Sequence, residues 1–306
     1  MNHGNGYISL LCPEIQRIIL EHLGLSDLIT LAETRNENKE GIKDYIAKRR
    51  VKLFRSFVDD VDGLLSMMED TGSVVSGSSA LSLIRPEAEE LRARDMDVYV
   101  TEAFEEEVLK HLKEKEGYAG AGDVVLKQEY NDSAMAKIFK LEKGEKKVDV
   151  IVTHWTAAVA PILQFHTTSV MNYITADSLV CLYPRWTTEK KGFVNPRLYL
   201  EGKSTLHTVE GLMKYVGRGF KIRADPLQLG EHNCEDNTDN QGGYCPHKLR
   251  STVDDEVMQW NYSPTKTLGE TTIVCQTMPV MVWCLGGYEC AVGNKDETMS
   301  MMFVCA

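Results

Sequence analysis

Three stretches carry side chains whose types and order could act together. The first is Val74-Val75-Ser76-Gly77-Ser78-Ser79, the second Asp95-Met96-Asp97-Val98-Tyr99-Val100, and the third Lys147-Val148-Asp149-Val150-Ile151-Val152. Asp95 and Asp97 stand at i, i+2. On a strand that spacing puts both carboxylates on one face, about 6.5–7 Å apart at the backbone. Asp149 lies within an apolar run, with no obvious salt partner nearby in sequence. A carboxylate there is costly unless a metal or hydrogen bonds satisfy it. Three hard oxygen ligands suit magnesium or manganese, which can sit between an attacking and a leaving oxygen. Gly77 allows the backbone to approach a phosphate closely. Ser78 at a helix start could donate to phosphate oxygens. The chemistry implied is metal-dependent nucleotidyl transfer, with Asp95, Asp97 and Asp149 meeting near Ser78.

These groups need elements to hold them. Val74-Val75 reads as a short buried strand, Gly77-Ser78 as a turn, and Ala80 to Ile84 as the start of a helix. Met96, Val98 and Val100 alternate with Asp95, Asp97 and Tyr99, the pattern of a strand with two different faces. Ala134–Leu141 and Lys146–Val152 read as two strands joined by a Gly144 hairpin. Arg85 to Arg94 is a charged connection and Gly117 to Gly122 a loop. Upstream, Pro13 and Glu14 open a helix with Ile15, Ile18, Ile19 and Leu23 on one face. Ser26 is expected to cap a second helix, Asp27 to Glu33. The polar run 36–41 should separate this pair from one long helix over 42–69. Within that helix Lys48, Arg49, Arg50, Lys52 and Arg55 read as a solvated basic face. Downstream, Trp186 to Arg197 reads as a polar loop and Thr205 to Val216 as a helix. The stretch 221–272 reads as irregular and 273–306 as strand-like.

Further candidates come from the later part of the chain. Lys203, Lys214, Arg218 and Lys221 are bases that could hold phosphates. Lys214 and Arg218, at i, i+4, share a face if the helix continues past Gly217; ordinary surface bases would look the same. Gly202-Lys203-Ser204-Thr205 has the ending of a phosphate loop, but Arg197 occupies the upstream glycine position, which excludes that motif. His232-x-Cys234 and Cys245-x-His247 could bind a structural zinc ion, although the spacing is tight and Cys245-Pro246 could equally be a turn. His154 and His166 could touch a substrate or serve as hydrogen-bonded core residues.

The totals bound the rest. The chain has 306 residues, 43% of them hydrophobic, and a net charge of −11, so a sizeable core is expected and a broad nucleic-acid-binding field is not. A small-molecule or protein acceptor is favoured over a long nucleic acid. The eight cysteines are scattered and residues 1–6 are polar, so no secretory leader is expected and the thiols read as reduced, in the cytosol or nucleus. The most apolar stretch, 272–292, is broken by Gln276, Pro279, Gly286, Gly287 and Glu289, so no membrane span is expected.

The arrangement of Gly77-Ser78, Asp95-x-Asp97 and Asp149 resembles the nucleotidyltransferase superfamily related to DNA polymerase beta. The resemblance implies an α+β fold with a mixed β-sheet. It also implies a nucleoside triphosphate as substrate, magnesium or manganese on the three acids, and phosphates held by Gly77 and Ser78. The 18-residue step from Gly77 to Asp95 is longer than compact members have. The pattern Leu11-Cys12-Pro13-Glu14-Ile15, Ile19-Leu20, Leu23, Asp27-Leu28, Leu31-Ala32 resembles an F-box, the helical module that docks on a cullin-ligase adaptor. Cys12 stands where a proline is usual, and an ordinary helical hairpin fits the same residues. Both features together resemble a group of fungal proteins with an F-box-like N-terminus. The expected organisation is a helical module over 1–50, a nucleotidyltransferase-like core over 51–200 and an α+β extension over 201–306. The alternative function is a non-catalytic ubiquitin-ligase substrate receptor built on a transferase-like fold.

Overall fold

A computed structural model describes residues 11–125, 133–200, 204–230, 244–262, 279–287 and 301–304. Helix α1 (Pro13–Glu21) starts on Pro13 as expected, and none of its residues is buried. Helix α2 (Leu25–Thr34) is capped differently from the expectation for Ser26: the Asp27 carboxylate reaches back to the Gly24 N–H at 3.2 Å, so the helix begins at Leu25. The polar run 36–41 is no separator but the first turns of α3 (Asn36–Arg55). Nor is 42–69 one helix. Asp60 caps α4 (Val61–Thr71) by accepting from the Gly63 N–H at 2.9 Å. The Glu116 carboxylate accepts the N–H groups of Asp59 and Asp60 at 2.7 and 2.9 Å. With those donors turned outward to a carboxylate, the chain cannot continue its i→i−4 ladder there.

The chain then forms β1 (Val74–Ser76), α5 (Gly77–Ile84), β2 (Met96–Thr101) and α6 (Glu105–Lys110), followed by β3 (Ala119–Val125), β4 (Met135–Lys143) and β5 (Lys146–Thr153). The expected loop over 117–122 is in part β3, which pairs with β4 through an irregularity at Gly120/Gly122. Next come β6 (Asn172–Ile174), β7 (Ser178–Cys181), α7 (Pro184–Thr188), β8 (Lys191–Phe193), α8 (Arg197–Leu200) and α9 (Leu206–Gly217). The expected polar loop from Trp186 is thus a short helix and a strand, organised by the burial of Trp186 and Phe193. Thr205 caps α9, accepting from the Thr208 N–H at 3.2 Å. The remaining strands are β9 (Lys221–Arg223), β10 (Arg250–Ser251), β11 (Met258–Asn261), β12 (Val280–Trp283) and β13 (Met301–Val304).

The fold is mixed α+β. Its main sheet has eight strands in the order β11-β7-β6-β1-β2-β5-β4-β3. Within it β2 and β5 run parallel and every other neighbouring pair is antiparallel. Each face carries its own core. Met96, Val98, Val100, Val148 and Val150 pack with Leu25, Leu28, Ile46, Phe54 and Leu64 of the helices. Val74, Tyr99 and Ile151 pack the opposite way, with Met171, Tyr173, Trp186 and Trp283.

These cores cross the expected divisions. Residue 50 falls inside α3, and the helices before it share a core with the sheet. In the later part β11 is an edge strand of the main sheet, and Trp283 lies in the second core. The basic face on α3 is also not wholly solvated. Arg49 is 6% exposed and donates from Nη2 to the carbonyls of Ser82 (2.7 Å) and Arg85 (2.8 Å). Arg50 donates to the Ala176 carbonyl at 2.7 Å and lies over the Tyr262 ring, 3.7 Å from its centroid. Among the described residues no helix is long and apolar enough to cross a membrane.

Candidate active site

The sheet register assembles the acids. Ser76 pairs with Asp97 across β1 and β2, and Asp97 pairs with Asp149 across the parallel β2 and β5. Neighbouring strands lie about 4.8 Å apart, so Asp97 and Asp149 are side by side on the face that also carries Tyr99 and Ile151. Asp95 sits one residue before β2 and acts on both other carboxylates. Burial, reinforced by the charges of Asp95 and Asp149, pushes the Asp97 carboxyl up to about 7; Lys214 pulls the other way. Burial also raises Asp149, against the pull of Lys140.

The expected burial of Asp149 is only partial. Lys140 of β4 is its register partner. Among the described residues no three His, Cys, Asp or Glu side chains form a group that could hold a metal ion. The acids are therefore neighbours rather than a ready-made three-ligand cage. Magnesium does not require one, because it is commonly held by one or two carboxylates together with substrate phosphates. The donor set fits such an ion: hard oxygens, with one carboxyl whose charged form is disfavoured by the charges beside it.

The Gly77-Ser78 turn closes one side. Gly77 has φ +66° and opens α5 directly after β1. A Cβ on it would stand 2.2 Å from Asp97 Oδ2, so the turn can meet the carboxylate this closely only without a side chain. Ser78 Oγ accepts from Arg218 Nη1 at 3.1 Å and lies 3.4 Å from the Tyr215 hydroxyl. Arg218 Nη2 also donates to the Arg92 carbonyl at 3.1 Å.

Helix α9 supplies the facing wall. Tyr215 is its buried contact, and the guanidinium of Arg218, at the C-cap, lies 5.3 Å from that ring's centroid. The His166 ring lies 5.9 Å from Tyr215 and packs where Gly211 has no Cβ. Burial raises the Tyr215 hydroxyl, and the Asp97 and Asp95 charges add to that rise. Gly77, Ser78, Lys214 and Arg218 thus join the three acids. Lys203 lies outside the described residues, and Lys221 lies on the exposed β9. Tyr215 is the residue the sequence reading passed over. Its only signal was an aromatic between two bases near a helix end.

The second constellation is half visible. His232 and Cys234 lie outside the described residues. Cys245 is partly buried, which raises its thiol, and both ring nitrogens of His247 are buried without a hydrogen-bond partner. The Pro246 carbonyl between them accepts from Leu285 N (3.1 Å), Gly286 N (2.8 Å) and Cys284 Sγ (3.3 Å). Cys245 and Lys248 also close a turn at 3.2 Å.

In comparison with known proteins, no protein-family model, no curated protein and no solved structure matched the chain.

Proposed function

We propose that this chain is a magnesium- or manganese-dependent nucleotidyltransferase that moves a nucleoside monophosphate from a nucleoside triphosphate to an acceptor hydroxyl. The observation that carries this reading is the register that sets Asp97 beside Asp149, with Gly77 held against the Asp97 carboxylate. In the reaction the acceptor hydroxyl passes its proton to Asp149 or to solvent, its oxygen bonds to the α-phosphorus, the bond to the α–β bridging oxygen breaks, and pyrophosphate leaves. Asp97, with Asp95 or Asp149 beside it, would hold the divalent cation together with the substrate phosphates, and the cation would supply charge neutralisation at the attacking and leaving oxygens. Ser78, Lys214 and Arg218 donate toward the triphosphate. Asp149, on the far side of Asp97 from the turn, orients the acceptor hydroxyl.

Calorimetric titration of a nonhydrolysable ATP analogue with magnesium tests the reading. The wild type should bind, and Asp95→Asn with Asp97→Asn should bind at least about tenfold more weakly, the loss of roughly 1.4 kcal/mol. Absence of binding in both proteins ends the enzyme reading.

A second reading is favoured by one separate observation. Ile15 and Ile18 on the apolar face of α1, and Leu11 just before that helix, are exposed. That face suits an F-box-like contact with a cullin-ligase adaptor, the chain then serving as a substrate receptor.

A further inference from the structure

The end of α5 remote from Gly77 borders a second cleft. Its volume is about 580 Å³; four bases (Arg17, Arg49, Lys52 and Arg92) and three carboxylates (Glu21, Glu87 and Glu90) line it, together with apolar Leu53, Leu83 and Leu91. This is within the roughly 300–1,000 Å³ range of small-molecule sites. Arg49 is the distinctive group. Its Nη2 caps the carbonyls of α5, but its Nη1 is buried and has no hydrogen-bond partner. The nearby carboxylate of Glu87 is already engaged: it accepts from Lys52 Nζ at 2.5 Å and from the Tyr45 hydroxyl at 3.1 Å. A buried guanidinium with an unused donor is stabilised by an incoming anion.

The other cations stand at the rim. Arg17 pairs with Glu21, Lys52 with Glu87, and Arg92 with Glu90 at 4.0 Å; all three basic side chains are mostly exposed. Ion pairs whose bases are this exposed hold weakly, so those bases can turn toward a stronger anion. The cleft thus offers one fixed, desolvated donor, several movable cations and an apolar wall.

We propose that this cleft is a binding site for a small phosphomonoester: the phosphate meets Arg49 and Lys52, and the organic body lies against Leu53, Leu83 and Leu91. It is separate from the candidate active site. Ser82 and Leu83 border it, whereas Gly77 and Ser78 lie about 6–9 Å away along α5 at 1.5 Å per residue. The proposal does not depend on the transferase reading.

Calorimetric titration with phenyl phosphate, beside inorganic phosphate, tests it in the full chain without added metal. The wild type should bind one phenyl phosphate, more tightly than inorganic phosphate. Arg49→Gln and Lys52→Met should each weaken binding at least about tenfold. Lys214→Met, at the other site, should leave it unchanged. Because Arg49 also caps α5, Lys52→Met carries the test alone if Arg49→Gln does not fold. No binding to the wild type overturns the proposal. So does binding that Lys52→Met leaves intact, or that Lys214→Met abolishes.

Discussion

Asp97 carries an electrostatic cost that can be measured without knowing the substrate. In an unfolded chain its carboxyl titrates near 3.8, and in the fold near 7. Between those values the native state holds a proton that the unfolded state releases. Native stability attributable to this group therefore falls as pH rises from about 4 to about 7, and stays lower above that. Asp97→Asn removes the penalty. In urea unfolding without divalent cations, the variant should be more stable than wild type by about 1–3 kcal/mol at pH 8 and nearly equal to it at pH 4. A variant less stable at pH 8 would show that the carboxylate is satisfied within the fold. A bound divalent cation should offset the same repulsion, so magnesium affinity should weaken as pH drops below about 7.

At the scale of elements, the junction of β1, α5 and β2 depends on Gly77. A side chain there meets two obstacles: a positive φ and the Asp97 carboxylate at 2.2 Å. Gly77→Ala should cost about 1–3 kcal/mol in unfolding experiments. Part of that loss should be recovered in Gly77→Ala with Asp97→Ala, because the backbone strain remains while the carboxylate is gone. Equal losses in single and double variants would mean that the carboxylate swings aside freely. α9 is held differently: Tyr215 and Arg218 anchor it at the Ser78 turn, while Leu206, Val209, Met213 and Val216 remain exposed. Its position is thus tied to the Ser78 turn and to the small core that Tyr215 shares with Leu81, Val170 and Phe220.

For the whole molecule, the shared core decides how the N-terminal helices can be studied. Leu25, Leu28, Ile42 and Ile46 are buried against the sheet, and α3 continues through Arg49 and Arg50 to Arg55. Deleting residues 1–50 should therefore unfold the protein rather than release a module, seen as loss of a cooperative thermal transition. Ile15→Glu with Ile18→Glu is the informative variant for adaptor contact, because these side chains are already exposed. It should keep the wild-type melting temperature within a few degrees and lose capture of the purified adaptor. A folded 1–50 deletion would refute the shared core. Adaptor capture unchanged in the double variant would remove the substrate-receptor reading.

Much of the site was legible in the chain because it depends on short-range geometry. The alternation of Met96, Val98 and Val100 with Asp97 and Tyr99 defines both faces of β2, since a strand has period two. Gly77 after Val74-Val75-Ser76 marks a backbone position suited to positive φ. Pro13 and Thr205 mark helix starts for equally local reasons. Local patterns misread 36–41 and 56–60, where polarity alone cannot tell an exposed helix from a connection and where the carboxylate that stops the helix, Glu116, comes from far along the chain. They also misread 186–197, because Trp186 and Phe193 find their partners only in the second core.

What the amino-acid order determined by itself is the set of acids, the glycine turn and the faces they occupy, all consequences of backbone periodicity and sterics. Tertiary structure decided that β2 runs parallel beside β5, so that Asp97 meets Asp149. It also placed Lys140 opposite Asp149 and brought Tyr215 and Arg218 to Ser78. Those are contacts between residues far apart in the chain. Strand pairing and the burial of two cores select them, and no local pattern encodes that choice.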